Sequence, residues 1–187
     1  MTKQIYQIQI ALKGSKPKIW RRLLIPSDTS LPKLHEIIQI AMGWEGYHLH
    51  QFEKNNICYS TKSIEDDMWG GVDIVDYKRI KISSLLISEK DKIKYEYDFG
   101  DSWEHDVILE KITDVTEKPK HAVCIAGKRN CPPEDCGGIW GYEDLLEILK
   151  NPEHAEYQEM LDWLGDEFDA EYFSKDETNQ LLKMVKL

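Results

Sequence analysis

The sequence of 187 residues predicts an α+β fold, a mainly antiparallel sheet packed on one helix in a β-grasp-like order, followed by a C-terminal helical part. Period-two alternation carries the first half of that expectation. It occurs at Tyr6, Ile8, Ile10 and Leu12 and again at Ile93, Tyr95, Tyr97 and Phe99, the pattern of half-buried strands. A single helical period at Leu34, Ile37, Ile38 and Ala41 supplies the helix on which the sheet packs, and three more such periods fill the end of the chain.

Taken in order, the first strand ends at the turn Gly14-Ser15-Lys16-Pro17, and Lys18 to Ile25 completes a hairpin. Pro26-Ser27-Asp28-Thr29-Ser30 stops the second strand and offers caps for the helix, which Gly43 closes as a left-handed C-terminal cap. After Trp44, the stretch Tyr47 to Phe52 reads as a strand with His48, His50 and Phe52 on one side, and Asn55-Asn56 turns it into Ile57-Cys58-Tyr59. Ser60 to Tyr77 is acidic, carries Gly70-Gly71 beside Trp69 and keeps no period, which predicts an excursion or functional loop. Ile80 and Ile82 predict a short strand, and Leu85-Leu86 a packing plug.

The stretch from Ile93 to Ile112 reads as the central hairpin, with Gly100-Asp101-Ser102 as its loop. A three-residue loop sets Tyr97 opposite His105, Tyr95 opposite Val107 and Ile93 opposite Leu109 on one apolar, aromatic face. The other face would hold Glu96, Asp98, Glu104 and Asp106 in two like-charge pairs, a repulsion that a bound cation would offset, although a solvated acidic surface is the commoner outcome.

Thr113 to Lys120 is polar and reads as a linker. Of the three helices beyond it, the first is marked by Tyr142, Leu145, Leu146 and Leu149, and the second by Tyr157, Met160, Leu161 and Leu164 between Asn151-Pro152 and Gly165. The third starts from a capping-box pattern at Ser174 and Glu177. The expected organisation is one domain over 1–187, with the sheet core in 1–113 and the linker, a Cys/Gly-rich turn and the helices in 114–187.

Composition narrows the function classes. No run of apolar residues is long enough to span a bilayer and no charged-then-apolar leader opens the sequence, so a cytoplasmic protein without a membrane partner is expected. A formal net charge of -10 argues against nucleic acid as a partner, the local exception being Lys13, Lys16, Lys18, Arg21 and Arg22 around the first turn, read as a solvated hairpin edge. Four unevenly spaced cysteines do not make a secreted disulfide scaffold. The sequence also lacks the glycine-rich phosphate loops and the G-x-S-x-G elbow.

Two groups of residues suggest chemistry. Four residues separate Cys131 from Cys136, a spacing that permits shared coordination of a soft metal, with Cys124 and either His105 or His121 to complete a tetrahedral set; packing of reduced thiols in a rigid turn is the blander alternative. His48 and His50 share a face and suit a metal as well, so zinc or another divalent cation is the cofactor these residues could hold. The candidate metal ligands are therefore His48, His50, His105, Cys131 and Cys136. The candidate ligand-binding residues are Trp44, Asp98, Asp101, Trp103, Trp140 and Tyr142.

Four stretches, K-G-S-K-P-K-I-W-R-R, A-M-G-W-E-G-Y-H-L-H-Q-F, Y-E-Y-D-F-G-D-S-W-E-H and C-P-P-E-D-C-G-G-I-W-G-Y, occur in that order, and together they resemble the plasmid pRiA4b ORF-3-like family over nearly the whole chain. The resemblance implies an association with mobile elements in bacteria and archaea but no activity or catalytic residue, and the resolvase-like labels of some members find neither an activated serine nor a helix-turn-helix pattern here. Two function classes follow. The first is a non-catalytic module that binds a protein or small molecule in an aromatic groove. The second is a metal-dependent hydrolase or phosphoryl-transfer enzyme in which Asp98, Asp101 and His105 hold a cation, with Glu104 or His48 as base. Convergence of Asp101 and His105 with the histidine pair or the cysteines would favour the second.

Overall fold

A computed structural model describes residues 3–61, 74–165 and 168–187. The part of the acidic excursion around Trp69 and Gly70-Gly71 lies outside the described residues. Eight strands form one sheet: β1 (Lys3–Leu12), β2 (Trp20–Pro26), β3 (His50–Lys54), β4 (Ile57–Ser60), β5 (Ile74–Asp76), β6 (Lys92–Tyr97), β7 (Trp103–Val115) and β8 (Val123–Lys128). Their order across the sheet is β5-β4-β3-β6-β7-β1-β2-β8, antiparallel throughout except between β4 and β5. The helices are α1 (Leu31–Met42), α2 (Ile82–Leu85), α3 (Gly138–Leu149), α4 (Tyr157–Leu164) and α5 (Lys175–Leu182). The predicted class is therefore the observed one.

Alternation places the core as expected. Tyr6, Ile8 and Ile10 of β1, Leu23 and Ile25 of β2, Ile93 and Tyr95 of β6, and Val107 and Leu109 of β7 are buried against Leu34, Ile37, Ile38 and Ala41 of α1. Gly43 ends α1 at φ 103°, a conformation that costs glycine little, and its N–H and that of Trp44 both donate to the Gln39 carbonyl. That cap turns Trp44 inward.

The hairpin register differs from the expected one by two residues. Tyr97 pairs with Trp103, Tyr95 with His105 and Ile93 with Val107, so the loop spans 98–102. A shift of two conserves the faces, and the aromatic side stays inward. The longer loop is stabilised by Asp98 and Ser102 in left-handed conformation, at φ 58° and 53°, with Gly100 N–H donating to Asp98 Oδ1 (2.9 Å) and Ser102 N–H to the Asp98 carbonyl (2.6 Å). Asp98 consequently leaves the acidic face. Only Glu96 and Glu104 remain as a like-charge pair, while Lys94 stands opposite Asp106 and Lys13 ion-pairs with Glu104. The hydrogen bond from Lys13 lowers the Glu104 pKa, so the lysine ammonium itself relieves the repulsion of that pair.

Three further expectations are corrected. Ile80 and Ile82 do not form a strand: a 3₁₀ turn, Tyr77–Arg79, leads into α2, and only a single bridge joins Lys81 to Ser30. Residues 113–120 are not wholly linker, because β7 runs to Val115 and the chain then adds β8 beside β2. Arg21 is no solvated edge residue. It is 3% exposed, its guanidinium donating to the carbonyls of Ala41, Trp20 and Lys128 and lying 4.4 Å from the Phe173 ring centroid.

Candidate ligand-binding groove and its acidic corner

Two irregular segments meet beyond the end of α1. One is the α1–β3 connection, 43–49; the other is the turn Cys131-Pro132-Pro133-Glu134-Asp135-Cys136. Trp44 joins them. Its indole, 5% exposed, donates from Nε1 to the Pro132 carbonyl (3.0 Å) and packs on Tyr97, Trp103 and His105 with centroids 5.2, 5.7 and 5.2 Å away. Glu134 adds a second clamp, its Oε1 accepting from Glu45 N–H and from the Tyr97 hydroxyl, both at 2.9 Å. Burial, followed by that bond to a carboxylate, holds the Tyr97 hydroxyl well above its ordinary pKa, so it remains a donor at all physiological pH.

Between the two segments lies a groove of about 500 Å³, with Trp44, Tyr47, Pro133 and Phe168 among its apolar lining. Glu45, Glu134 and Asp135 line it as well, and among the described residues no basic side chain does. Tyr47 is 79% exposed, and Leu49 and Phe99 are also exposed. The site therefore combines solvent-facing aromatic surface with uncompensated negative charge.

At one corner of the groove His48 stands between carboxylates. Its Nδ1 lies 3.7 Å from Asp98 Oδ2, and its Nε2 lies 3.4 Å from Asp135 Oδ1 and 3.9 Å from Glu134 Oε2. One ring nitrogen and one oxygen each from Asp98 and Asp135 lie within 4.8 Å of one another. Asp98 is brought there by its left-handed backbone and by its N–H donating to the Leu49 carbonyl (2.8 Å), which staples the hairpin loop to the segment carrying His48.

The other predicted residues are dispersed. His50 stacks on His35 with centroids 3.5 Å apart and hydrogen-bonds the Tyr77 hydroxyl (2.8 Å), while His35 Nδ1 hydrogen-bonds the Tyr95 hydroxyl (2.8 Å). Burial lowers both imidazoles, to about 3 for His35 and about 4 for His50, so the pair is neutral near pH 7. His105 is fully buried, and its Nδ1 donates to the Trp103 carbonyl (2.9 Å). Asp101 accepts from Gly137 N–H (3.2 Å), away from the Asp98 carboxylate that faces His48. Trp103 and Tyr142 are buried, the indole N–H of one and the hydroxyl of the other lacking a partner among the described residues, whereas Trp140 is 77% exposed on α3.

All four cysteines are free thiols. Burial raises Cys131 far above its ordinary pKa and Cys136 to about 12, which keeps both protonated and unreactive at neutral pH. Among the described residues neither they nor His105 belong to a group of three metal-type ligands. The convergence required by a hydrolase built on Asp101 and His105 is thus not assembled.

Tyr47, Glu134 and Asp135 were not singled out by sequence reasoning. The last two sit inside C-P-P-E-D-C, where the flanking thiols draw attention from the carboxylates between them.

The model of one family, described as plasmid pRiA4b ORF-3-like protein, matches residues 4–177. An uncharacterized protein y4hQ of Sinorhizobium fredii is 34% identical over 168 residues, covering 88% of this chain and 83% of its own. Among solved structures, the protein of unknown function MM3350 from Methanosarcina mazei superposes with a TM-score of 0.83 at 39% identity, covering 95% of this chain and 98% of that one.

Proposed function

The chain belongs to the plasmid pRiA4b ORF-3-like family, and from the geometry of the groove we propose that it is a non-catalytic binding module for a positively charged segment of a partner protein. The observation that carries this reading is the juxtaposition of exposed Tyr47 with Glu45, Glu134 and Asp135 in a groove that, among the described residues, no basic side chain lines. An aromatic face beside a carboxylate is the arrangement that attracts a guanidinium or ammonium group, by its ring quadrupole and its charge together. Leu49, on the same connection as Tyr47, is exposed and offers apolar surface to a further residue of the partner. The net charge of -10 supports the same sign of partner by drawing cationic segments toward the surface.

Fluorescence anisotropy with labelled peptides tests this. A peptide bearing arginines beside one aromatic anchor is expected to bind, to weaken as salt is added, and to weaken about tenfold on Tyr47→Ala or Glu134→Gln, a loss of about 1.4 kcal/mol. An acidic counterpart of the same peptide binding equally well, or affinity indifferent to both substitutions, would overturn the reading. Binding of a small organic cation in preference to every peptide would replace the partner segment by a metabolite.

A further inference from the structure

The acidic corner shares Asp135 with the groove but adds two side chains that the groove reading does not use. His48 and Asp98 are not among the groove-lining residues, yet the three side chains His48, Asp98 and Asp135 come from the α1–β3 connection, the hairpin loop and the Cys131–Cys136 turn to present donors to one point. We propose that they form a binding site for one divalent transition metal of the zinc type.

Chemistry and spacing agree. A tetrahedral zinc with bonds of about 2.0–2.2 Å sets its donors roughly 3.4 Å apart. His48 Nε2 and Asp135 Oδ1 are 3.4 Å apart, and one His48 nitrogen with one oxygen of each aspartate closes within 4.8 Å; since Asp135 faces Nε2 and Asp98 faces Nδ1, holding one ion requires the imidazole to turn until a single nitrogen serves both carboxylates. One imidazole with two carboxylates is a borderline donor set, suited to zinc better than to magnesium or calcium, which take oxygen alone. A fourth position is left for water or for Glu134, whose Oε2 lies 3.9 Å from His48 Nε2 while its Oε1 is held by Glu45 and Tyr97.

Asp98 supplies an independent observation. It is only 8% exposed, Gly100 N–H holds its Oδ1, and its Oδ2 has no hydrogen bond among the described residues although it faces the His48 ring. That oxygen, aimed at the corner and accepting no hydrogen bond there, has lone pairs free for a cation. An imidazole surrounded by three carboxylates at 3.4–3.9 Å is the alternative partner for it, through an ion pair without metal.

Zinc titration of the full chain, prepared without a histidine tag and stripped by a chelator, separates the two. One zinc per chain, bound more tightly than magnesium or calcium, is expected. His48→Gln and Asp135→Asn should each weaken it at least tenfold, with Cys131→Ser and Cys136→Ser leaving it unchanged and the cobalt-substituted protein showing no thiolate charge-transfer band. The Asp135 side chain is 71% exposed, so that variant retains its fold and keeps the test valid even if a change at His48 perturbs the loop. The proposal is overturned by substoichiometric zinc, by affinity unaffected by the His48 and Asp135 substitutions, or by loss of zinc in the cysteine variants. Asp135 belongs to both sites, but Tyr47→Ala alters the groove and not these ligands, and His48→Gln alters a ligand that does not line the groove, so peptide binding and zinc binding fail separately.

Discussion

His105 lies fully buried between Trp44, whose ring meets it edge-on, and Tyr95, and it donates to the Trp103 carbonyl. Replacing it by alanine leaves a cavity and an unsatisfied carbonyl, so His105→Ala should destabilise the protein by about 3 kcal/mol in urea unfolding. Asp101→Ala removes only a long hydrogen bond to Gly137 and should cost less than about 1 kcal/mol. Burial also lowers the His105 pKa to about 4, against the hydrogen bonds and the nearby Asp106 that raise it. The folded state therefore takes up its proton later than the unfolded chain. Stability is full above about pH 6.5 and falls as pH drops through the window down to about 4, by on the order of 3 kcal/mol at the limit, with His35 acting in the same direction. Unfolding midpoints at about pH 7 and about pH 5 should show the drop, and His105→Gln should make it shallower while His35 and His50 keep the remainder; a slope unchanged in that variant would assign the effect elsewhere. At this scale the sequence was legible in part. Asp98 and His48 stood out by type, but only a left-handed residue past the end of β6 turns one toward the other, and nothing in Y-E-Y-D-F-G-D-S announces where the ladder stops.

At the scale of elements, α3 begins against two other backbones. A Cβ on Gly141 would stand 1.9 Å from the Cys136 carbonyl oxygen, and one on Gly138, at φ 69°, would stand 2.4 Å from the Asp101 carbonyl oxygen. The glycines thus let the Cys131–Cys136 turn and the hairpin tip close on the helix start, which is what holds Glu134 and Asp135 over the groove. Gly141→Ala should cost more than about 2 kcal/mol, since the obstructing atom is backbone and cannot swing away, and it should weaken ligand binding in the groove as well. Gly165→Ala is the control: open space surrounds that position, and at φ 73° only the left-handed penalty of about 1 kcal/mol is expected. Chemical denaturation of the two variants decides between them. Element types were readable wherever one face is buried, as in β1, β6 and α1. β8 was not, because Val123-Cys124-Ile125-Ala126-Gly127-Lys128 buries only Cys124 and keeps no alternation that a reader could detect. The hairpin register escaped for a related reason: a shift of two residues leaves every side chain that stays in the ladder on its original face, so the pattern alone cannot choose between the two loops.

At the scale of the whole molecule, the C-terminal part is tied into the sheet and does not trail behind it. β8 pairs with β2, and the Asn179 side chain on α5 accepts from the Cys124 N–H (2.7 Å) and donates to the Cys124 carbonyl (2.9 Å), occupying both backbone groups of a residue in β8. Leu182 and Val185 are buried in the same core as Leu34, Ile37 and Ile38 of α1. Such contacts between residues far apart in sequence leave no local signature, so the fold class could be read from periodicity while the seating of the last helix could not. The physical consequence is shared cooperativity. Removing residues 174–187 strips two fully or nearly buried aliphatic side chains and the Asn179 bridge, a loss of about 4 kcal/mol or more, which is a large part of the stability of a protein this size. Intact protein should then unfold in urea with coincident transitions by far-ultraviolet circular dichroism and by tryptophan fluorescence, because Trp44 and Trp103 report the core that α5 helps to close. Asn179→Ala should shift both midpoints together. If the two probes separated, or if the shortened chain unfolded at the same urea concentration as the intact one, the C-terminal part would be an independent unit and the coupling through β8 would be absent.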